Sequence, residues 1–142
     1  MTALLELRSW ISYNVYMASN KYKILIIDDD EFLLDMYSIK FRELGYDVEV
    51  AFSGSDALEK IKKGPEPNVV LVDIVMSNMD GFEFLRQAKK ENLLKKSKII
   101  VLSNLGQEED IKKGKELGAD DYIIKAYFTP MEVTKKIEAL LK

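Results

Sequence analysis

The chain contains neither cysteine nor histidine. Without cysteine it can form no disulfide bond and offers no thiolate. Without histidine it lacks the commonest general base, the commonest zinc ligand and any phosphohistidine role. A metal site must therefore be built from oxygen ligands, which suit a hard cation such as Mg²⁺. Nothing in the composition points outside the cell, and we expect a cytoplasmic protein.

Long apolar runs and an excess of one charge are also missing. No run approaches the roughly 18 apolar residues that a membrane span requires. The 21 basic and 24 acidic residues leave a net charge of only −3, so no electrostatic attraction to nucleic acid or to an anionic membrane is expected. The 142 residues, 47% of them apolar, are enough for one hydrophobic core. We assign that domain to residues 21–142.

Residues 1–20 form an N-terminal extension of uncertain role. They lack the basic start and small-residue cleavage site of a signal peptide, and Glu6 and Arg8 interrupt their apolar stretch. Three interpretations remain open. The segment is an amphipathic helix that packs on the domain or on a partner, it is left over from an expression tag, or natural translation starts at Met17.

Five short apolar runs alternate with helix-like segments along the rest of the chain. The runs are KILIID (23–28), YDVEVA (46–51), NVVLVD (68–73), KIIVLS (98–103) and DYIIK (121–125). Most are continuously apolar, which is typical of parallel strands covered on both faces, whereas YDVEVA alternates as an edge strand does. Helical spacing predicts helices over 31–44, 53–63, 82–92 and 107–117, and Thr129-Pro130 is a start signal for a fifth.

This alternation predicts an α/β fold with right-handed crossovers. Five units in about 120 residues fit a doubly wound, five-stranded parallel sheet of flavodoxin-like order 2-1-3-4-5, with helices on both faces. Ligands of such sheets bind beyond the carboxyl ends of the strands, where the winding reverses. Here that point lies between the first and third strands.

Polar side chains stand at the predicted carboxyl ends of four strands. Asp28 and Asp29 follow strand 1, Asp73 ends strand 3, Ser103 ends strand 4 and Lys125 ends strand 5. Carboxylates that converge at one edge repel each other unless a cation compensates them, so we expect a magnesium site. A carboxylate, a hydroxyl and an ammonium around Mg²⁺ make a plausible phosphoryl-transfer site.

The joint pattern resembles the receiver domain of two-component response regulators, in particular single-domain chemotaxis regulators. The aspartate pair after strand 1, the aspartate of VLVDIVMSNMDG, the serine of IIVLSN and the lysine of GADDYIIKAYFTP carry the resemblance, which spans about residues 22–142. It implies a domain that accepts a phosphoryl group from a sensor histidine kinase or a phosphotransfer protein.

The resemblance also implies roles for individual residues. Asp73 would be the phosphoacceptor. Asp29 and Asp73 would ligate Mg²⁺ directly, Asp28 through water, and Val75 through its backbone carbonyl. Of the remaining residues, Ser103 would be the switch hydroxyl, Lys125 the partner of the phosphate, and Tyr122 the aromatic residue whose rotamer changes on activation.

Two prolines that are usual in the family pattern are missing, and the residues at two other positions affect the expected lifetime of the acyl phosphate. Ser77 replaces one usual proline, and Ala126 replaces another that normally follows a cis bond. Either Lys125-Ala126 is cis, at a cost of about 2.5–4 kcal/mol, or this loop is trans and the lysine sits differently. Val75 and Leu105 occupy positions that in the family help to set the lifetime of the acyl phosphate. Both are apolar and cannot orient a water molecule, so slow self-dephosphorylation is expected.

We therefore expect a phosphorylation-driven switch with no output domain in this chain, which catalyses only its own aspartyl phosphorylation and dephosphorylation. A downstream protein would bind the face formed by the predicted fourth helix, fifth strand and fifth helix, a face that also allows a phosphorylation-dependent homodimer. Two alternatives remain. One is a magnesium phosphatase of the haloacid dehalogenase type, with Asp28 as nucleophile. The other is a pseudo-receiver that binds partners without phosphorylation.

Overall fold

The computed structural model describes residues 2–19 and 22–141, without the side chains of 12–19. In these ranges the strands are β1 (Lys23–Ile27), β2 (Asp47–Ala51), β3 (Val69–Val72), β4 (Lys98–Ser103) and β5 (Asp121–Ile124). The helices are α1 (Thr2–Ser19), α2 (Glu31–Glu43), α3 (Gly54–Lys63), α4 (Gly81–Lys90), α5 (Glu108–Glu116) and α6 (Pro130–Leu141).

The strands form one parallel sheet in the order β2-β1-β3-β4-β5. The predicted doubly wound fold is therefore confirmed, and each strand lies within the apolar run that predicted it. The alternating run became β2, an edge strand as expected. With this order, β1 and β3 are neighbours, and their carboxyl ends meet where the winding reverses.

Both faces of the sheet are buried, which explains the continuous apolar runs. In β1, Leu25 and Ile27 face one hydrophobic cluster, which contains Phe84 of α4, while Ile24 and Ile26 face the other, which contains Phe41 of α2. The first cluster also takes residues from α3, and the second takes residues from α6. Alternate side chains of each strand are buried on opposite faces of the sheet. This burial fixes the direction in which the last side chain of the strand points.

Helix starts are fixed by side-chain caps in the loops that follow the strands. The side chains of Asp30, Ser53 and Asp80 each accept a hydrogen bond from the backbone N–H three residues later. Thr129 caps α6 as predicted, because its Oγ1 accepts from the N–H of Glu132 while the Glu132 carboxylate accepts from the N–H of Thr129. These caps hold helix N-termini close to the carboxyl edge of the sheet.

The N-terminal extension contains α1. The side chains described in it, those of residues 2–11, are exposed, and they include Leu4, Leu5, Leu7 and Trp10. Among the described residues, no helix is both long and apolar enough to cross a membrane. Met17 falls inside α1. The helix is compatible with each of the three interpretations of this segment, which stay open.

The loop after β3 folds tightly against the first residue of α4. The N–H of Gly81 donates to the carbonyl of Ile74 at 2.9 Å. A Cβ at Gly81 would lie 2.2 Å from the carbonyl oxygen of Asp73 and 2.8 Å from the Cα of Ile74. Neither is a flexible side-chain end, so only glycine fits here without moving the backbone that carries Asp73.

We predict that Gly81→Ala lowers the free energy of unfolding by about 1–3 kcal/mol, because the added methyl group overlaps backbone atoms. Urea denaturation followed by circular dichroism measures the change. Gly64→Ala is the matched control, since a Cβ there would meet nothing nearer than the Lys23 Nζ at 3.5 Å. Equal stability changes in the two variants would contradict this account of the loop.

Candidate metal centre

The carboxyl edge of the sheet carries an open pocket of about 360 Å³. It contains every residue that the sequence predicted for metal binding or chemistry. The lining residues are Asp28, Asp29, Asp30, Asp73, Val75, Ser103, Asn104 and Lys125. Asp30 is the cap of α2, and the exposed Asn104 was not predicted, since its only sequence signal is that it follows Ser103. Tyr122 does not line this pocket.

Three carboxylates converge in the pocket. Asp28, Asp29 and Asp73 each offer one oxygen, and these oxygens lie within 4.8 Å of one another. Asp28 and Asp73 are buried, with exposed fractions of 3% and 7%, whereas Asp29 is exposed. Such an all-oxygen set fits a hard divalent cation with room for water ligands. The residues present therefore suit the predicted Mg²⁺.

Backbone N–H groups orient each of these carboxylates. The N–H of Asp30 donates to Asp28 Oδ1 at 3.0 Å, and the N–H of Ile74 donates to Asp73 Oδ1 at 2.7 Å. The N–H of Ser77 donates to Asp29 Oδ2 at 3.2 Å. This last bond exists because residue 77 is not the proline expected from the family pattern, since proline has no N–H. The departure therefore adds a hydrogen bond to the site.

Lys125 supplies the positive charge of the pocket. Its Nζ donates to Asp28 Oδ2 at 2.9 Å and to Asp73 Oδ2 at 3.1 Å. The lysine starts a short 3₁₀ turn, Lys125–Tyr127, and no peptide bond within residues 2–19 and 22–141 is cis. The trans alternative for Lys125-Ala126 is thus the one found, and the lysine still reaches both carboxylates.

Burial and charge act against each other at this ion pair. Burial raises the pKa of Asp28, although the N–H of Asp30 and the Lys125 ammonium oppose the increase. Burial acts to lower the pKa of Lys125, but the hydrogen bond to Asp28 and the charge of Asp73 raise it above its ordinary value. Lys125 therefore remains an ammonium, and Asp28 is protonated more readily than a solvated aspartate.

Ser103 and Tyr122 are connected through the loop after β4. The Ser103 side chain is fully buried, and its Oγ accepts from the N–H of Leu105 at 3.2 Å. The hydroxyl keeps its proton free to donate. The Tyr122 hydroxyl donates to the carbonyl of the same Leu105. Burial, assisted by the charges of Asp110 and Asp73, raises the pKa of Tyr122 to about 12, so the phenol stays a donor.

Comparison with known families gives a match over most of the chain. The family described as "Response regulator receiver domain" matches residues 24–138. Among curated proteins, the probable transcriptional regulator ycf27 of Cyanophora paradoxa is 36% identical over 126 residues, which are 89% of this chain and 51% of that protein. The chain spans about half the length of the curated relatives that it matches.

Solved structures give the same result. A CheY-like response regulator receiver domain protein from Methanospirillum hungatei is 32% identical, with a TM-score of 0.78 over 86% of this chain and 94% of that one. The BeF3-activated receiver domain of DrrB from Thermotoga maritima is 30% identical, with a TM-score of 0.73 over 85% of this chain and 97% of that one.

We predict that Lys125→Met lowers the free energy of unfolding by about 1–3 kcal/mol when divalent cations are chelated. Methionine keeps an apolar stem but leaves two buried carboxylates without their ammonium partner. Urea denaturation with EDTA measures the loss. Lys63→Met is the control, because Lys63 forms an exposed pair with Glu59 and its loss should leave the urea midpoint unchanged. An unchanged midpoint for Lys125→Met would contradict the account.

Proposed function

Because this chain belongs to the receiver domains of response regulators, we propose that it accepts a phosphoryl group on Asp73 from a sensor histidine kinase or a phosphotransfer protein. The observation that supports this most directly is the position of Asp73. Its carboxylate is buried at the end of β3, with one oxygen held by the N–H of Ile74 and the other by Lys125. An oriented carboxylate beside an ammonium is suited to attack phosphorus.

The acidic cluster supports Mg²⁺ as the cofactor of this reaction. Asp29 and Asp73 would hold the ion directly, Asp28 through water and Val75 through its backbone carbonyl. When bound, the cation neutralises charge on the phosphoryl oxygens and on the carboxylates that surround them. Three carboxylates with one lysine leave the pocket negatively charged, which favours a divalent ion over further side-chain pairing.

The transfer exchanges one bond to phosphorus for another. A carboxylate oxygen of Asp73 forms a bond to phosphorus as the bond from phosphorus to the donor nitrogen breaks, and that electron pair leaves with the donor. The Lys125 ammonium then donates to a phosphoryl oxygen in place of the Asp73 carboxylate. The Ser103 hydroxyl donates to another oxygen, so the new negative charge is shared between two protein groups.

Phosphorylation of Asp73 would alter the surface around β5 through the contacts that link Ser103, Leu105 and Tyr122. Movement of Ser103 toward the phosphoryl group pulls the loop that holds the Tyr122 hydroxyl. The population then shifts toward a state with a changed surface on α5, β5 and α6. Tyr127, in the turn after β5, and Met131, in α6, are exposed. A downstream protein would bind there, and a phosphorylation-dependent homodimer would use the same face.

We predict that acetyl phosphate with Mg²⁺ adds one phosphoryl group to the protein, and that Asp73→Asn abolishes the addition because an amide is not a nucleophile here. Intact-mass spectrometry detects the label. Asp80→Asn is the matched control, since Asp80 only caps α4 and asparagine also caps helices. EDTA should prevent labelling of every variant.

Other outcomes would favour the other classes of function. Labelling of Asp73→Asn at the level of the control would rule out Asp73 as acceptor. Steady turnover of p-nitrophenyl phosphate would indicate a phosphatase. Failure to bind beryllofluoride with Mg²⁺ would indicate a domain that binds partners without phosphorylation.

We predict a long-lived acyl phosphate. Val75 lines the pocket and is 63% exposed, whereas Leu105, in the loop after Ser103, packs against the first hydrophobic cluster, so neither side chain can orient water near Asp73. Val75→Asn with Leu105→Glu should accelerate dephosphorylation by about tenfold to a hundredfold, because both new side chains can orient water.

The rate is followed by mass spectrometry after acetyl phosphate is removed. Val75→Ile with Leu105→Ile keeps both positions apolar and serves as the control. Equal rates for the polar and apolar pairs would refute the role of these two positions.

A further inference from the structure

Helix α5 has an unusual contact with the sheet. Gly114 is the one buried residue among the nine of α5, all of which the structure describes. The helix is rich in charge and has no apolar stripe of the kind that normally anchors a surface helix. It therefore depends on what the sheet presents to it, because its own side chains contribute little burial.

What the sheet presents at this point is the ring of Tyr122. A Cβ at Gly114 would lie 2.9 Å from Tyr122 Cδ2 and 3.1 Å from Cε2, but 3.8 Å from Val101 Cγ2. The ring thus occupies the volume that a side chain at position 114 would need. Tyr122 belongs to β5, and its ring also packs against the cluster that contains Val101.

A neighbouring contact limits how α5 can adjust. The Lys113 ammonium lies over the ring of Phe82 on α4, 4.5 Å from the ring centroid. Lifting α5 to admit a methyl group at 114 would disturb this contact next to it. The Tyr122 ring is held at its hydroxyl end by a hydrogen bond to the Leu105 carbonyl, and a methyl group at 114 would press on the side of the ring.

We propose that Gly114 is a positioning residue for Tyr122: its bare Cα leaves the space in which the ring stays inward, and the ring in turn is the support on which α5 rests. The contact extends the Ser103–Leu105–Tyr122 series to the helix that forms part of the output face. The link to phosphorylation rests on the function proposed above, whereas the packing itself does not.

The packing is tested by thermal unfolding with EDTA and without phosphate. Gly114→Ala is introduced into the wild type, into Tyr122→Phe and into Tyr122→Ala. The unfolding midpoint should fall in the first two backgrounds, where the ring is present. It should rise in the third, because the methyl group then fills space that the Tyr122 ring has vacated, and alanine has a higher helix propensity than glycine.

Gly64→Ala, made in the same three backgrounds, controls for a general effect of replacing glycine and should shift the midpoint equally in all three. A fall of similar size for Gly114→Ala in every background would overturn the proposal, since the effect would not depend on the ring.

The coupling is tested by titration with beryllofluoride and Mg²⁺. Gly114→Ala should weaken the apparent affinity about fivefold or more in the wild type, because the ring loses its inward position, and should leave it unchanged in Tyr122→Ala. Equal weakening in both would overturn the coupling. If the wild type does not bind beryllofluoride, the proposed function and the coupling fail together, while the unfolding midpoints still decide the packing.

Discussion

Lys125 donates from one ammonium to Asp28 and to Asp73, which follow two neighbouring strands. The arrangement of the whole carboxyl edge depends on this pairing. Without this ammonium, the two neighbouring buried carboxylates would repel each other, and no ion pair would offset the cost of removing them from water. Yet one lysine does not balance three aspartates, because Asp29 stands within the same group of oxygens. The charge left over is what makes this edge receptive to a cation.

The sequence predicted the fold closely because two independent signals agreed. Continuous apolar runs indicated strands buried on both faces, and their alternation with helical patterns left few topologies open. The convergence of Asp28, Asp73 and Lys125 then followed, since parallel strands bring their carboxyl ends to one edge. These residues are far apart in the chain but needed only the strand order to be placed together.

Other features of the site depend on backbone positions that no local pattern encodes. The N–H of Ser77 reaches Asp29 because the loop after β3 turns back, which the sequence presented only as a missing proline. The sequence also left open whether the peptide bond after Lys125 is cis or trans, because no local pattern determines it. The contact between Gly114 and Tyr122 joins a helix to a strand. A lone glycine in a charged helix gives no sign of what lies opposite it.

The path from Ser103 to Tyr122 has a consequence for the conditions under which the domain can work. It consists of a serine hydroxyl, the backbone N–H and carbonyl of Leu105, and a phenol with a pKa of about 12. None of these groups gains or loses a proton between about pH 5 and 8, where histidine would. This path would therefore keep the same hydrogen-bond donors and acceptors when the pH changes within that range.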